Sequence, residues 1–323
     1  MIKKELEIPL RIRKLEAMLR RLLESHPKYA DIKNEHGRRL SGYWGEKSLK
    51  YYLSFLTEKN YHIFHNLRLP DTSNEHFFEI DILLVTPSFI LNIDAKNYRG
   101  ELHLDQIIEQ ITQTYEGQKK SFACPLAQIN RQEIQLRRLL LSHKFPQAPI
   151  ESLVIFTNPS AIVTANPNHK QIHKVIKSAS FLTKIDTFEK KHKVEVFEKK
   201  QIQKLSRFLI KQHTPNDENI LEQFGIHQDE LLKGVCCPKC GNLPMERTER
   251  KWYCPSCSHS STNAHVNAIT DYSLLIDNII SNQKLRKFLQ LPSRSAATNI
   301  LKSLNLQHNN GKKDRVYFFP PNE

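Results

Sequence analysis

The sequence predicts a mixed α/β domain that is followed by two small units. Apolar runs of strand character, including 76–86 and 88–98, alternate with helical patterns up to about residue 213. Such an alternation is typical of a mixed sheet with helices on both faces. Two Cys-x-x-Cys pairs follow between residues 237 and 257, and helical patterns occupy much of the chain after residue 264. We therefore expect a metal-binding unit and a small helical unit after the α/β domain.

Helical and strand patterns follow one another through the α/β domain. Its first helix is predicted to begin within Gly42–Glu46, and a later one begins at Pro125, because proline is tolerated in the first helical turn. Further helices are expected near 181–191 and 201–211, and strands near 61–69, 76–86, 88–98, 101–104, 151–157 and 173–178. The predicted domains are a basic amphipathic helix at 1–37, the α/β domain at 38–213, a polar linker at 214–232 and small units at 233–263 and 264–323.

Composition favours a nucleic-acid partner. The 323 residues include 48 Lys and Arg against 34 Asp and Glu, so the formal net charge is +14. Such an excess attracts polyanions, of which nucleic acid is the commonest, although a basic protein without such a partner is the alternative. The sequence has no apolar run of about 18 residues, and its basic N-terminus lacks the apolar core of a signal peptide. We therefore expect a cytoplasmic protein with no membrane partner.

Two aspartates and a lysine are expected to share one face of a β-hairpin. The two strand-like runs meet at residues 86–89, whose Thr-Pro-Ser-Phe sequence favours a turn. If the turn is centred on the middle of this segment, the numbers of paired residues add up to 175 and Asp81 lies opposite Asp94. Lys96 follows two residues later and points to the same face as Asp94. A shift of one residue in register would abolish this alignment.

Paired carboxylates beside a lysine suit phosphodiester hydrolysis. Facing carboxylates repel unless a cation lies between them or one is protonated. Mg²⁺ or Mn²⁺ takes oxygen ligands, which Asp81 and Asp94 can supply, and the Lys96 ammonium can orient an attacking water or stabilise charge on the phosphate. Glu46, near the start of the first helix, can reach the same metal or a second one. The alternatives are a helix cap for Glu46, a strand-edge position for Asp81 and a surface position for Lys96.

Several of these segments, in this order, resemble the nuclease-related domain NERD, within the PD-(D/E)xK nuclease fold. The resemblance covers about residues 38–157 and rests on Gly45-Glu46, Glu79-Ile-Asp81, Asp94-Ala-Lys96-Asn97-Tyr98-Arg99-Gly100 and Pro125-Leu-Ala-Gln128. It implies a restriction-endonuclease-like mixed sheet flanked by helices, with Asp81 and Asp94 as Mg²⁺ ligands. The catalytic residues that it implies are Glu46, Asp81, Asp94, Lys96 and Gln128. The family more often has Glu at the position of Asp94, and a domain that keeps the fold without activity is the alternative.

Four cysteines have the spacing of a zinc ribbon. Two Cys-x-x-Cys pairs lie thirteen residues apart and are formed by Cys237, Cys240, Cys254 and Cys257. In a chain expected in the cytoplasm this pattern indicates metal rather than disulfides. Four thiolates complete the tetrahedral shell of Zn²⁺ and leave no open position, so the predicted role of zinc is structural. Cys236, His259 and His265 are alternative ligands.

Basic residues near the cysteines are candidates for nucleic-acid contact. Arg247, Arg250 and Lys251 lie beside two aromatic residues, and such a mixture can bind nucleic acid. The alternative is that the aromatic residues, Trp252 and Tyr253, only pack the ribbon.

The C-terminal tail resembles a winged helix-turn-helix. Two helices are expected near 283–291 and 295–306, and Asn309-Asn310-Gly311 leads into a terminal strand near 315–319. In such a fold the second helix contacts DNA. The tail residues proposed for nucleic-acid contact are Arg294, Lys302, Lys312 and Lys313. A small helical module that packs on the rest of the chain or on a partner is the alternative.

Together these features predict a metal-dependent nuclease that hydrolyses phosphodiester bonds, with DNA favoured over RNA, in DNA processing, repair or defence. Mg²⁺ or Mn²⁺ would serve the reaction, and Zn²⁺ would be structural. The alternative is a non-catalytic DNA-binding or regulatory protein, in which the ribbon and tail carry the function on an inactive nuclease-fold scaffold. RNA processing by the same chemistry is a third interpretation.

Overall fold

The chain divides into two compact units. The computed structural model describes residues 1–56, 60–248, 250–311 and 314–320. The first unit comprises Met1–Glu7 and Leu40–Pro215, and the second comprises Ile8–Arg39 and Asn216–Glu323. None of the helices in the described part of the chain has the length and hydrophobicity of a membrane span.

Two sheets organise the first unit. Its strands are β1 (Ile2–Lys4), β2 (His62–Pro70), β3 (Phe77–Val85), β4 (Ile90–Lys96), β5 (Glu101–Asp105), β6 (Gln110–Tyr115), β7 (Gln118–Ala123), β8 (Ile150–Phe156), β9 (Ile162–Ala165) and β10 (Val175–Lys177). The larger sheet has the order β1-β2-β3-β4-β8-β10 and the smaller one β7-β6-β5-β9. In the larger sheet β2–β3 and β3–β4 are antiparallel, whereas β1–β2, β4–β8 and β8–β10 are parallel. This mixed α/β class agrees with the prediction.

Helices cover both faces of the larger sheet. The helices up to residue 212 are α1 (Leu10–Arg21), α2 (Tyr29–Ser48), α3 (Lys50–Ser54), α4 (Pro125–Ser142), α5 (Phe181–Lys191) and α6 (Lys199–Gln212). Of these, α1 and the part of α2 up to residue 39 belong to the second unit, and the helices on the sheet are α3 to α6. Successive side chains of a strand point to opposite faces. On β4, Ile93 accordingly packs in a cluster with residues of α3 and α5, while Ile90 packs in a cluster with residues of α4 and α6. The even-numbered residues of β4 therefore face α4.

Strands β3 and β4 pair in the predicted register. The observed pairs are Ile82–Ile93, Leu83–Asn92, Leu84–Leu91 and Val85–Ile90, whose numbers add up to 175. At the turn, the backbone N–H and the hydroxyl of Thr86 both donate to the carbonyl of Phe89, at 3.0 and 2.8 Å. The predicted register is confirmed, and its continuation brings Asp81 opposite Asp94.

The described residues of the second unit form four further helices and two small antiparallel sheets. Its elements after residue 216 are α7 (Ile220–Phe224), β11 (Glu246–Thr248), β12 (Lys251–Tyr253), β13 (Ser260–Ser261), α8 (His265–Leu275), β14 (Ile279–Ser281), α9 (Asn282–Leu289), α10 (Arg294–Ser303), β15 (Gln307–His308) and β16 (Val316–Phe318). The sheets have the orders β11-β12-β13 and β14-β16-β15 among the described strands. One hydrophobic cluster contains residues of the cysteine region and of the tail, from Val235 to Tyr317.

The N-terminal segment and the predicted linker differ from the expected pattern. A single helix was expected at 1–37, but this segment contains β1, α1 and the start of α2. The segment 214–232 contains α7, whose Ile220 is buried in one cluster with Leu15 and Met18 of α1. An amphipathic helix such as α1 gains stability by burying its apolar stripe against another element. Here α7, which lies in the predicted linker, is part of the surface against which α1 packs.

Candidate active site and metal centre

Strands β3 and β4 bring Asp81, Asp94 and Lys96 together. The Lys96 ammonium donates to Asp94 Oδ1 at 2.9 Å, and the backbone N–H of Ala95 donates to Asp81 Oδ2 at 2.8 Å. The side chain of Asp94 is 1% exposed, whereas that of Lys96 is 17% exposed. The aspartate is thus enclosed, and the ammonium reaches both the carboxylate and the surface.

Helix α4 brings Gln128 to the same place. Its Oε1 accepts a hydrogen bond from the Lys96 ammonium at 3.2 Å. One turn further along the helix, Gln132 accepts from Asn92 Nδ2 at 3.1 Å and donates to the carbonyl of Glu79 at 2.7 Å. These contacts fix α4 against β3 and β4, so the position of Gln128 is set by the helix as a whole.

Glu46 is carried to the acids by a close approach of α2. A Cβ added at Gly45 would lie 2.7 Å from Asn97 Cβ and 2.8 Å from Thr157 Oγ1, so a larger residue would push the helix away. Asn97 Nδ2 also donates to the carbonyl of Ser41 at 2.8 Å. The segment after Lys96 therefore packs directly on the helix that carries Glu46.

Burial raises the pKa values of the three carboxyl groups, and repulsion from neighbouring carboxylates adds to the shifts at Glu46 and Asp94. Burial is the main cause of a pKa of about 9 at Glu46, and the charges of Asp81 and Asp94 add to it. Burial also raises the pKa of Asp81, and that of Asp94 to about 7, although the Lys96 ammonium opposes both shifts. Burial lowers the pKa of Lys96, but the two aspartates outweigh it, so the net shift is upward. A further positive charge at this site would offset the burial and repulsion that raise these carboxyl pKa values.

The oxygen atoms of this cluster fit a divalent cation. Asp94 Oδ2 and Glu46 Oε2 are buried and have no hydrogen-bond partner among the described residues. Leaving carboxylate oxygens buried and unpaired costs free energy. Mg²⁺ and Mn²⁺ prefer oxygen ligands of this kind, so the donor set suits either ion.

Asn66 lies at this site but was not among the residues predicted for it. On β2 it lies between the pairs His65–Ile82 and Leu67–Ile80, which places it opposite Asp81. Its φ of 48° is left-handed, a conformation that asparagine tolerates better than most residues. Its side chain hydrogen-bonds Glu46 and opposes the upward shift of the Glu46 pKa. The only sequence signal for it is an asparagine inside a predicted strand, where this residue type is uncommon.

In the second unit, the four cysteines form a compact cluster. All four Sγ atoms lie within 4.8 Å of one another, with Cys237–Cys257 at 3.7 Å and Cys240–Cys254 at 3.5 Å. In a tetrahedral site with Zn–S bonds of about 2.3 Å, the sulfur atoms lie about 3.8 Å apart. One pair precedes β11 and the other follows β12. The cluster can hold a metal ion, and its sulfur spacing fits zinc.

The alternative ligands lie outside the described cluster of cysteines. The Cys236 thiol contacts the carbonyl of Gly241 at 3.2 Å, and His265 Nδ1 accepts from Trp252 Nε1 at 3.1 Å. His259 is likewise not part of the cluster among the described residues.

The basic residues near the cysteines differ in their surroundings. Trp252 is 1% exposed and belongs to the hydrophobic cluster of the second unit, which confirms its packing role, whereas Tyr253 is 36% exposed. The Arg247 guanidinium lies 4.8 Å from the centroid of the Trp252 ring and takes part in this packing. Lys251 begins β12 and Arg250 directly precedes it, and both are exposed.

The basic residues of the tail lie on or after α10. Arg294 begins this helix and Lys302 lies near its end, and both are exposed. Lys312 and Lys313 lie outside the described residues.

Comparison with known proteins supports a nuclease-related function for the first unit. Residues 41–157 match the family described as NERD, nuclease-related domain. Over 142 residues the chain is 26% identical to an uncharacterized protein of Bacillus anthracis, a match that covers 44% of this chain and 65% of that relative. No solved structure matches the chain. The five residues predicted for catalysis all lie within the part that matches the family.

Proposed function

We propose that this chain is a metal-dependent nuclease that hydrolyses phosphodiester bonds, with DNA preferred to RNA. The observation that supports this most is the enclosed cluster of Glu46, Asp81 and Asp94 around Lys96. Its partly unsatisfied oxygens suit a divalent cation, and the segment that carries it matches a nuclease-related domain. A cytoplasmic location stays a prediction.

In this proposal Asp81 and Asp94 would hold Mg²⁺ or Mn²⁺, with Glu46 beside them. A bound cation neutralises phosphate charge and lowers the pKa of its water. The Lys96 ammonium, fixed by Asp94 and Gln128, orients the attacking water and stabilises the charge that develops on the phosphate oxygens. The Ala95 N–H holds one oxygen of Asp81 in place, so that this carboxylate is already oriented before a ligand binds.

We further propose a structural Zn²⁺ on Cys237, Cys240, Cys254 and Cys257. The ribbon and tail would add affinity for nucleic acid through exposed Arg250, Lys251, Arg294 and Lys302. The order helix, strand, two helices and hairpin from α8 to β16 supports a winged-helix assignment for the tail. For Arg247, its place over Trp252 supports a role in packing the ribbon, and Lys312 and Lys313 stay predictions.

The second candidate is a non-catalytic DNA-binding protein. The exposed basic residues of the second unit and the net charge of +14 favour it. It gives no reason for a buried and two partly buried carboxyl groups around a lysine, because such a cluster is costly without a functional ligand.

Cleavage of linear, circular and single-stranded DNA, and of RNA, separates these candidates. We expect cleavage with Mg²⁺ or Mn²⁺, none with EDTA, and loss of cleavage in Lys96→Ala. Lys190→Ala, an exposed lysine on α5, is the matched control and should cleave like the wild type. Salt-sensitive binding by zinc-loaded wild type with no metal-dependent cleavage would favour the second candidate.

A further inference from the structure

We propose that Tyr98 and Phe122 form a base-stacking platform beside the acid cluster, and that the hairpin β6–β7 guides an unpaired nucleic-acid strand onto it. This inference rests on the proposed nuclease function, from which it takes that the bound molecule is a nucleic acid. It adds the substrate class, a single strand or a frayed end.

The two rings already form a stacked pair. Their centroids are 5.6 Å apart and their planes differ by 24°. Phe122 is 39% exposed, whereas Tyr98 is partly buried and also packs on Phe156, at 6.3 Å between centroids. The pair therefore begins in the core and ends at the surface, where another flat ring can continue the stack.

This pair borders the acid cluster. Phe156 is the partner of Lys96 across β4 and β8, and Tyr98 follows Lys96 by two residues. Burial raises the pKa of Tyr98, and the charges of Lys96 and Asp94 act on the same hydroxyl with opposite signs. A nucleotide whose base stacks here is therefore connected by a short length of backbone to a phosphate at the cluster.

The hairpin is fixed to the segment that follows Lys96. Gly100 has a φ of +76°, and a Cβ added there would overlap the carbonyl oxygen of Thr114 on β6. Gln113 Nε2, also on β6, donates to the carbonyl of Arg99 at 2.8 Å. The platform is thus built from two segments whose relative position is set by the close approach at Gly100 and by the hydrogen bond from Gln113.

The outer strand of the hairpin carries charge suited to phosphates. β7 is an edge of the smaller sheet, and its residues are exposed. Alternation along the strand places Lys120 on the same face as Phe122, about 6.6 Å away. Lysines on an edge strand also discourage pairing with another chain, which accounts for Lys119 and Lys120 but not for the exposed ring of Phe122. A base stacked on the Phe122 ring and a phosphate bound by Lys120 would use both the exposed ring and the charge.

An unpaired strand fits this arrangement better than a duplex. In a duplex each base is stacked between its neighbours and paired, so its flat face is not available to a protein ring. Aromatic platforms with adjacent lysines or arginines instead bind single strands with little sequence preference. We therefore expect the platform to select unpaired nucleotides next to the bond that is cut.

Binding of oligonucleotides that contain one 2-aminopurine tests this proposal. The full chain is used with Ca²⁺ in place of Mg²⁺, and single-stranded DNA is compared with the matching duplex. We expect quenching of 2-aminopurine on binding of the single strand, and Phe122→Ala should abolish it and weaken affinity by about tenfold. Affinity for the duplex should change less than about twofold.

Three further variants separate stacking from packing. Phe122→Leu keeps an apolar side chain against Tyr98 and should still lose quenching, whereas Phe122→Trp should keep it. Phe55→Ala removes an exposed phenylalanine next to α3, on the other face of the sheet, and should have no effect.

Wild-type quenching and affinity in both Phe122→Ala and Phe122→Leu would overturn the proposal, as would an equal loss for single strand and duplex. Quenching that depends on Phe122 in a protein that cleaves no substrate would support the platform while rejecting the nuclease. The two proposals can therefore fail separately.

Discussion

At the residue scale, the candidate site depends on polar groups placed where apolar ones would be expected. Asp94 lies in β4, whose residues up to this position are buried. Its Oδ1 accepts a hydrogen bond from Lys96, and its Oδ2 has no partner among the described residues. The sequence showed the acids because charged residues interrupt apolar runs. It did not show Asn66, because an asparagine in a strand has many explanations other than a left-handed backbone opposite Asp81.

A buried histidine of β2 predicts a pH dependence of stability. His65 is buried, both its ring nitrogens lack partners among the described residues, and burial lowers its pKa from 6.5 to about 4. The unfolded chain therefore binds more protons than the folded one between these values. The contribution of this residue to stability should be complete above pH 6.5 and should be lost as the pH drops toward 4, at a cost of up to about 3 kcal/mol.

Urea unfolding at a series of pH values checks this prediction. His65→Leu should reduce the loss of stability below pH 6.5, to which His62 and His213 also contribute because burial lowers their pKa values to about 4. His103→Leu, which replaces an exposed histidine on β5, should leave the loss unchanged. An unchanged slope in His65→Leu would show that this ring does not titrate as described.

At the element scale, hairpins were predictable only where apolar residues marked them. The register of β3 and β4 followed from two apolar runs and a turn sequence, and the structure confirms it. The hairpin β6–β7 was not predicted, because β7 is exposed throughout and shows no apolar alternation. Its signal was the turn at Glu116-Gly117, where both residues have positive φ, as in the tight turns that favour hairpins.

Two glycines of α2 give a matched test of how this helix positions Glu46. Gly45→Ala places a Cβ against Asn97 and Thr157, and should cost about 1–3 kcal/mol and lower cleavage by about tenfold or more. At Gly42 nothing lies within 4 Å of an added Cβ, so Gly42→Ala should keep activity and gain up to about 1 kcal/mol. Thermal unfolding and cleavage rates measure both effects. Equal behaviour of the two variants would contradict the close approach.

At the scale of the whole molecule, the domain pattern was predictable only in part. The α/β class and the cysteine spacing follow from local patterns. The packing of α1 and α7 in one cluster does not follow from local patterns. The two segments lie about 200 residues apart, and no sequence pattern links them. Apolar faces show that a helix must be covered, but not by which element.

The cysteine cluster predicts that the second unit depends on metal. Cys237 and Cys254 are buried in the same hydrophobic cluster as Trp252, so loss of zinc should disturb that core. Wild type should carry about one zinc per chain, and Cys254→Ser should lose it and shift the Trp252 fluorescence in a Trp44→Phe background. Cys236→Ser should keep both zinc and fluorescence. Full zinc occupancy in Cys254→Ser would rule out the assigned ligands.

The measurement that tests the central claim most directly compares cleavage and binding in Asp81→Ala. Asp81 lies opposite Asp94, and its carboxylate is proposed to hold the metal. We expect Mg²⁺-dependent cleavage to fall by about a thousandfold or more while DNA affinity stays within about threefold. Glu79→Gln, an exposed acid two residues earlier on β3, should behave like wild type in both assays. Cleavage by Asp81→Ala at the wild-type rate would contradict the proposed active site.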